Sequence, residues 1–255
     1  MSLRVVITGA SSGIGRALAA QYARRGATLG LIARRAASLE QLASELKARS
    51  AQYALDVRDA AGLARAAEDF VAKFGAPEIV IANAGVSSGT STERAEDRAV
   101  FQEILDTNVM GMVNTFQPFI AALRRAGRGT LVGIASVAGF RGMPGSGAYS
   151  ASKAAAIAYL ESLRVDLRGS GITVVTICPG YIATPMTANN RFPMPFIISA
   201  DVAAAHMADA IERGVRLTVI PWQMGVIGVL LKMMPRPLYD RLFARAPRKA
   251  RRTSD

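Results

Sequence analysis

The chain is poor in cysteine and histidine, with one of each in 255 residues. A lone Cys178 excludes a disulfide framework within the chain and fits a reducing compartment. Nothing in the sequence has the clustered spacing of metal ligands, so no metal is expected. The single His206 falls in a helical stretch late in the chain and is read as structural or surface. The first ten residues, MSLRVVITGA, run straight into a strand, leaving no room for a charged and then apolar leader. A cytoplasmic protein is the expectation. Internal repeats and linker-like stretches are also missing, which points to one domain.

What is present is a regular alternation of short apolar runs and helical patterns. Leu3 to Ile7 reads as a strand buried on both faces and leads into TGASSGIG, residues 8–15, and then a helix. In that context glycines cradle a phosphate: Gly9 permits the turn, Gly13 lets a diphosphate approach and Gly15 lets the helix pack closely. The second strand, Thr28 to Ala33, ends in Arg34 and Arg35. An NAD site carries an acidic residue there, roughly 20 residues past the first glycine. Here no carboxylate would repel a 2′-phosphate, and a guanidinium could bind it in a fork. Ser11 could add a hydroxyl, so NADP(H) is the expected cofactor. The alternative is that the two arginines merely begin a solvated helix.

Helix (36–49), strand (52–55), helix (59–74) and strand (78–81) follow. Asp56 and Val57 leave one strand where an adenine edge would lie, and Asn83-Ala84-Gly85 end the next. A long helix is expected from about Asp97 to Arg125, with Asn108 inside it as a poor helix former. A strand from Thr130 to Ala135 then passes Ser136, crosses a Gly-rich loop and enters a helix at Tyr149. Tyr149 and Lys153 are four apart and share a helix face, with Cβ atoms about 5–6 Å apart. An ammonium there would lower the tyrosine pKa from about 10. Such a phenol can protonate a carbonyl oxygen or deprotonate an alcohol, and Ser136 could hold that oxygen. Residues 172–177 read as a strand closed by Cys178-Pro179-Gly180, and 183–199, with three prolines, as a substrate lid. A helix (200–213) and a strand (216–220) complete the sheet.

Together TGASSGIG, NAG, Asn108, Ser136, YSASK and PGYIAT closely resemble the short-chain dehydrogenase/reductase family in its classical form, from about Leu3 to Ile220. The resemblance implies an α/β fold: a single Rossmann-like, doubly wound domain with a seven-stranded parallel sheet and helices on both faces. It implies Tyr149 as acid/base, Lys153 to depress its pKa and hold the nicotinamide ribose, and Ser136 to orient the substrate oxygen. Asn108 would bind a water linking Lys153 to solvent, and Thr184 would meet the nicotinamide carboxamide. Cofactor contacts are expected from Gly9, Ser11, Ser12, Gly13, Ile14, Gly15, Arg34, Arg35, Asp56, Val57, Asn83, Ala84 and Gly85. Tyr149, Lys153, Pro179, Gly180, Ile182 and Thr184 would supply the rest. Enoyl reductases of the superfamily space Tyr and Lys more widely, so carbonyl/alcohol chemistry is favoured.

One departure is the C-terminus. Many members close with a short Asp-Gly-Gly stretch, whereas this chain reads LTVIPWQMGVIGVLLKMMPRP and continues. That weakens transfer of the acyl-carrier-protein reductase reading and its tetramer; the partner expected is a second copy in a homodimer. The last 24 residues carry eight basic side chains against Asp240 and Asp255, net +6 of the chain's +12. Residues 1–222 are thus expected as the catalytic domain, and 223–255 as an apolar helix with a basic amphipathic tail. Met224 to Leu231 falls far short of the roughly 20 residues that span a bilayer. A basic amphipathic helix after Pro237 suits the plane of an anionic membrane; packing on the core or on a partner subunit is the other reading. Basic residues also bind phosphate backbones, but no base-reading element accompanies them and no nucleic acid is expected. The expected activity is an NADP-dependent interconversion of ketone or aldehyde and alcohol, on a lipophilic substrate suggested by Phe192, Met194, Phe196 and Ile197. The alternative is a noncatalytic NADP-binding scaffold or sensor at a membrane.

Overall fold

Strands apolar at every position need cover on both faces, and the chain supplies it by alternating them with helices. The computed structural model describes residues 2–188, 190 and 192–251. Met1, Asn189 and Arg191 of the expected lid, and 252–255, with Arg252 and Asp255 of the basic tail, lie outside the described residues. In chain order the strands are β1 (Arg4–Thr8), β2 (Thr28–Ala33), β3 (Ser50–Ala54), β4 (Ile79–Ala82), β5 (Gly129–Ile134), β6 (Ile172–Pro179), the two-residue β7 (Ile182–Ala183) and β8 (Ile198–Ser199), and β9 (Leu217–Ile220). Seven of them form one sheet in the order β3-β2-β1-β4-β5-β6-β9, parallel throughout. This is the Rossmann-like sheet expected from the sequence.

The helices are α1 (Gly13–Arg24), α2 (Ala36–Leu46), α3 (Ala60–Phe74), α4 (Asp97–Leu105), α5 (Gly111–Ala126), α6 (Gly147–Asp166), α7 (Ala200–Glu212), α8 (Trp222–Met233) and α9 (Arg236–Phe243). Period-two alternation in β1 divides the core. Val5 and Ile7 join Leu18, Leu39 and Met207 of α1, α2 and α7 on one face. Val6 joins Phe70, Phe116 and Leu160 of α3, α5 and α6 on the other. Each such large side chain contributes about 1.5–3 kcal/mol on burial. Asp59 starts α3 by accepting from the Gly62 N–H at 2.8 Å, a cap that contributes about 1 kcal/mol.

Three expectations shift at element edges. The second helix stops at Leu46 because Lys47 turns left-handed, with φ 50°, and β3 begins at Ser50, two residues early. The helix expected to run unbroken from Asp97 is interrupted by a π turn, Asp106–Met110, with Asn108 at its centre. Such turns recur at functional sites. His206 is exposed on α7.

The C-terminal segment lies against the loop after β5. Gly228 of α8 is pressed on Phe140 so closely that a Cβ would stand 2.5 Å from the ring. Arg141 donates to the carbonyls of Leu231 and Met234, both at 2.9 Å, and lies 4.3 Å from the Tyr239 ring centroid. Tyr239 is buried and donates to the Gly142 carbonyl at 2.6 Å. No helix among the described residues is long and apolar enough to cross a membrane.

Candidate functional site

A groove of about 450 Å³ opens at the carboxyl ends of the strands. It sits where the order reverses between β1 and β4, the crevice in which open α/β sheets take ligands. Of the sequence-predicted site residues, all but Gly15 and Asn108 line it. Gly15 is instead a packing position, since a Cβ there would lie 2.2 Å from the Gly9 carbonyl oxygen. Gly13 turns with φ 53°, a conformation that favours glycine. The first turn of α1 carries no acidic side chain, and the hydroxyl of its N-cap Ser12 caps nothing. Free N–H groups and a free hydroxyl at a helix N-terminus form an anion cradle.

At the far end, Arg34 and Arg35 line the groove, and neither makes an ion pair among the described residues. Asp56 was expected to meet an adenine edge. Its carboxylate is gripped by Arg58, at 3.0 Å from Nε and 2.7 Å from Nη2, with a further bond from the Arg58 N–H at 2.9 Å. The bonds from the Arg58 guanidinium hold that carboxyl below its usual range, against the effect of burial. Arg58 was not legible as a site residue.

Nor was Thr8. Its buried Oγ1 accepts from the N–H groups of Asn83 at 3.1 Å and Ala84 at 3.2 Å. Asn83 Nδ2 returns a bond to the Thr8 carbonyl at 3.0 Å. The Asn83 side chain therefore locks β4 to the Gly-rich loop and fixes the groove floor from inside. Its signal was Thr8, a lone polar residue ending an apolar strand.

Ser136, Tyr149 and Lys153 converge on the same groove. Ser136, just past the end of β5, accepts from the Ala138 N–H at 3.1 Å and donates to the Pro179 carbonyl at 3.3 Å. Lys153 is buried, donates to the Ile134 carbonyl at 2.8 Å and stands 5.8 Å from the Tyr149 ring centroid. The sequence suggested a depressed tyrosine. Burial instead pushes the Tyr149 phenol up, and Ser136 beside it offsets this only in part. Burial also carries Lys153 down to about 8. The two groups meet desolvation together, and the ammonium spends a hydrogen bond on a backbone carbonyl. Cys178, free and buried beneath them, has its thiol pushed up by burial to about 12 and is inert as a nucleophile.

Asn108 does not reach the groove but ties its walls. Its Oδ1 accepts from the Val86 N–H at 2.8 Å, and its Nδ2 donates to the Val86 carbonyl at 3.0 Å and to Ser152 Oγ at 2.9 Å. Ser152 in turn donates to the Tyr149 carbonyl at 2.7 Å. The π turn presents both polar atoms of the Asn108 side chain inward.

Pro179, Gly180, Ile182 and Thr184 form the near wall. The lid they lead into is closed at its base by pairing of β7 with β8, and Thr187 Oγ1 donates to the Ile182 carbonyl at 2.7 Å. Thr184 faces the Gly-rich loop, its Cβ lying 3.3 Å from where a Gly13 Cβ would stand.

The arrangement offers an anion cradle, two free guanidinium groups and a buried hydroxyl–phenol–ammonium cluster at opposite ends of one groove. The short chain dehydrogenase family model matches residues 4–194. An uncharacterized oxidoreductase of Myxococcus xanthus is 41% identical over 244 residues, 94% of this chain and 96% of that protein. A sulfoacetaldehyde reductase of Chromohalobacter salexigens is 38% identical over 186 residues, 72% of this chain and 74% of that protein. Among solved structures, the L-sorbose reductase of Gluconobacter frateurii complexed with NADPH and L-sorbose superposes with a TM-score of 0.78. It is 26% identical, over 86% of this chain and 95% of that one. The alcohol dehydrogenase of Thermococcus sibiricus complexed with 5-hydroxy-NADP gives 0.77 at 27% identity, over the same shares. The chain belongs to the short-chain dehydrogenase/reductase family, as an NAD(P)-dependent oxidoreductase acting on CH–OH donors.

Proposed function

We propose that the protein interconverts a ketone or aldehyde and its alcohol with NADP(H), on a substrate with an apolar body. The observation that carries this reading is the pairing of Ser136, Tyr149 and Lys153 at one end of the groove with unpaired Arg34 and Arg35 at the other. Arg34 and Ser11 would hold a 2′-phosphate, the N-terminus of α1 the diphosphate, and Lys153 and Thr184 the nicotinamide end. A bound nicotinamide supplies or accepts the hydride. Tyr149 Oη gives its proton to the carbonyl oxygen in reduction and takes it back in oxidation. Ser136 Oγ orients that oxygen, Lys153 supports the developing phenolate, and Asn108 ties the groove wall at Val86 to the helix that carries Tyr149 and Lys153. Preorganised donors aimed at a developing charge are the main source of rate in such sites. Met186 and Pro185 in the groove wall support an apolar substrate, as do the exposed Phe196 and Ile197. The test is an NADPH-oxidation screen against aliphatic, aromatic and steroidal carbonyls. Turnover of at least one class supports the reading; NADPH binding with no turnover of any leaves a noncatalytic scaffold.

A second reading concerns the tail, whose division from residues 1–222 we keep as functional rather than as a separable part. The outer face of α8 exposes Trp222 (70%), Val226 (51%), Val229 (52%), Leu230 (60%) and Met233 (76%), with Lys232, Arg236 and Arg241 close in sequence. Apolar side chains flanked by cations support docking on an anionic cytoplasmic membrane surface. Liposome flotation tests it: the parent should float with anionic lipid and a Trp222→Ala, Leu230→Glu, Met233→Glu variant should not. A parent that stays down in every lipid overturns this reading. Exposed Phe101, Met110 and Val165 on α4, the π turn and α6 support a homodimer, which sedimentation equilibrium tests.

A further inference from the structure

The last described residues cross the open side of the catalytic cleft as a strap. Gly89 donates to the Ala250 carbonyl at 2.9 Å and bridges Arg251 in parallel. Arg251 pairs with the buried carboxylate of Asp97 at 2.7 Å and with Glu96 at 3.1 Å. On the other bank, Arg248 packs on Gly145, where a Cβ would meet it at 2.7 Å. The strap is thus held by both the loop after β4 and the loop leading into α6.

Between these two attachments the strap sets a half-buried Lys249 beside Tyr149, at the edge of the cleft. Its Nζ stands 5.9 Å from the Tyr149 ring centroid and 2.8 Å from Ser87 Oγ. Lys249 is a second ammonium beside the reacting phenol, on a segment separate from the one carrying Lys153. Arg251, two residues on, finds two carboxylates; Lys249 finds none among the described residues. A desolvated cation with only a neutral acceptor is held at a cost, and burial lowers Lys249 from its ordinary value. An anion brought into the cleft would relieve that cost, and Ser87 stands beside it as a further hydrogen-bonding group.

We propose that Lys249 is a specificity-determining residue that binds an anionic group, a carboxylate or sulfonate, carried by the carbonyl substrate. The proposal rests on the carbonyl/alcohol reading of the same site. It places the negative charge of the substrate near its carbonyl, within reach of a cation beside Tyr149, and its apolar body along the lid. Discrimination then comes from a charge pair formed inside a water-poor cleft, where a neutral analogue leaves the ammonium unmatched.

The test uses the full chain with NADPH and two matched pairs of aldehydes. These are para-carboxybenzaldehyde with its methyl ester, and succinic semialdehyde with its methyl ester. The parent should have the higher kcat/KM for the carboxylate in at least one pair. Lys249→Gln should lower the carboxylate-to-ester ratio by about tenfold or more, Lys249→Arg should keep most of it, and Lys249→Glu should invert it. The change should appear in KM rather than kcat. A ratio unchanged in Lys249→Gln overturns the assignment, as does an equal fall for acid and ester, the mark of a merely loosened strap. A parent that reduces no carbonyl, these or those of the wider screen, overturns the carbonyl reading and this assignment with it.

Discussion

Replacing Asn108 by alanine removes three hydrogen bonds at once, two to Val86 and one to Ser152. Asn108 and Ser152 are almost wholly buried, so water cannot simply take over. Each bond contributes about 0.5–1.5 kcal/mol net, and an orphaned, buried N–H costs about 1–3 kcal/mol. A loss of about 2–4 kcal/mol follows, offset slightly by the better helix propensity of alanine. For a chain of this size each kcal/mol shifts Tm by about 2–4 °C, so a fall of roughly 5–15 °C is expected. Urea and thermal unfolding measure it directly. Because Val86 follows Gly85 in the groove wall and Ser152 holds the Tyr149 carbonyl, turnover should fall as well, beyond the loss of folded protein. A Tm within about 1 °C of the parent would show that the clamp is not what the π turn is for.

Two further predictions concern charge. Arg34→Asp places a carboxylate where the 2′-phosphate is expected, so the kcat/KM ratio should move from NADPH towards NADH; a parent that already prefers NADH would refute this role of Arg34. Lys153 titrates near 8 in the folded chain, below its ordinary 10.5, so the unfolded chain binds more protons between those values. The destabilisation from its charged form is complete below about pH 8 and is lost as pH rises to about 10.5. Parent stability should therefore gain on that of Lys153→Met across this window, by a few kcal/mol at most, in urea titrations at fixed salt. Comparing the two proteins removes the opposite trend from Tyr149, whose raised value favours unfolding at high pH, and leaves only the part of the Cys178 trend that depends on Lys153.

The strand–helix alternation was legible because the central strands are mostly apolar, as in β2 and β4, and most of the helices between them show one buried face. The site was legible where chemistry forces residue type, as at the glycines and at Ser136, Tyr149 and Lys153. Most of what stayed hidden depended on contacts across long stretches of chain. Thr8 gains its role from Asn83, 75 residues on; Arg58 was hidden for a local reason, the turn after β3 that folds its side chain back on Asp56. The π turn left only a faint trace, a polar Asn108 in an apolar-faced helix. The tail was read as basic and amphipathic, which is true of its composition. Yet Arg251 is engaged by Asp97, and Lys249 is turned inward, because the loops it crosses were drawn together by strands far earlier in the chain. Charge counting cannot tell an inward cation from a solvated one.

The most direct test of the central claim is Tyr149→Phe, measured by single turnover with NADPH and any carbonyl the parent reduces. The substitution deletes one hydroxyl and leaves the ring that packs in the groove. The rate should fall by about 10²-fold or more, while NADPH affinity, read by fluorescence titration, stays near that of the parent. A Tyr149→Phe protein that reduces the same carbonyl at a rate close to the parent's would contradict the assignment of the proton to this phenol.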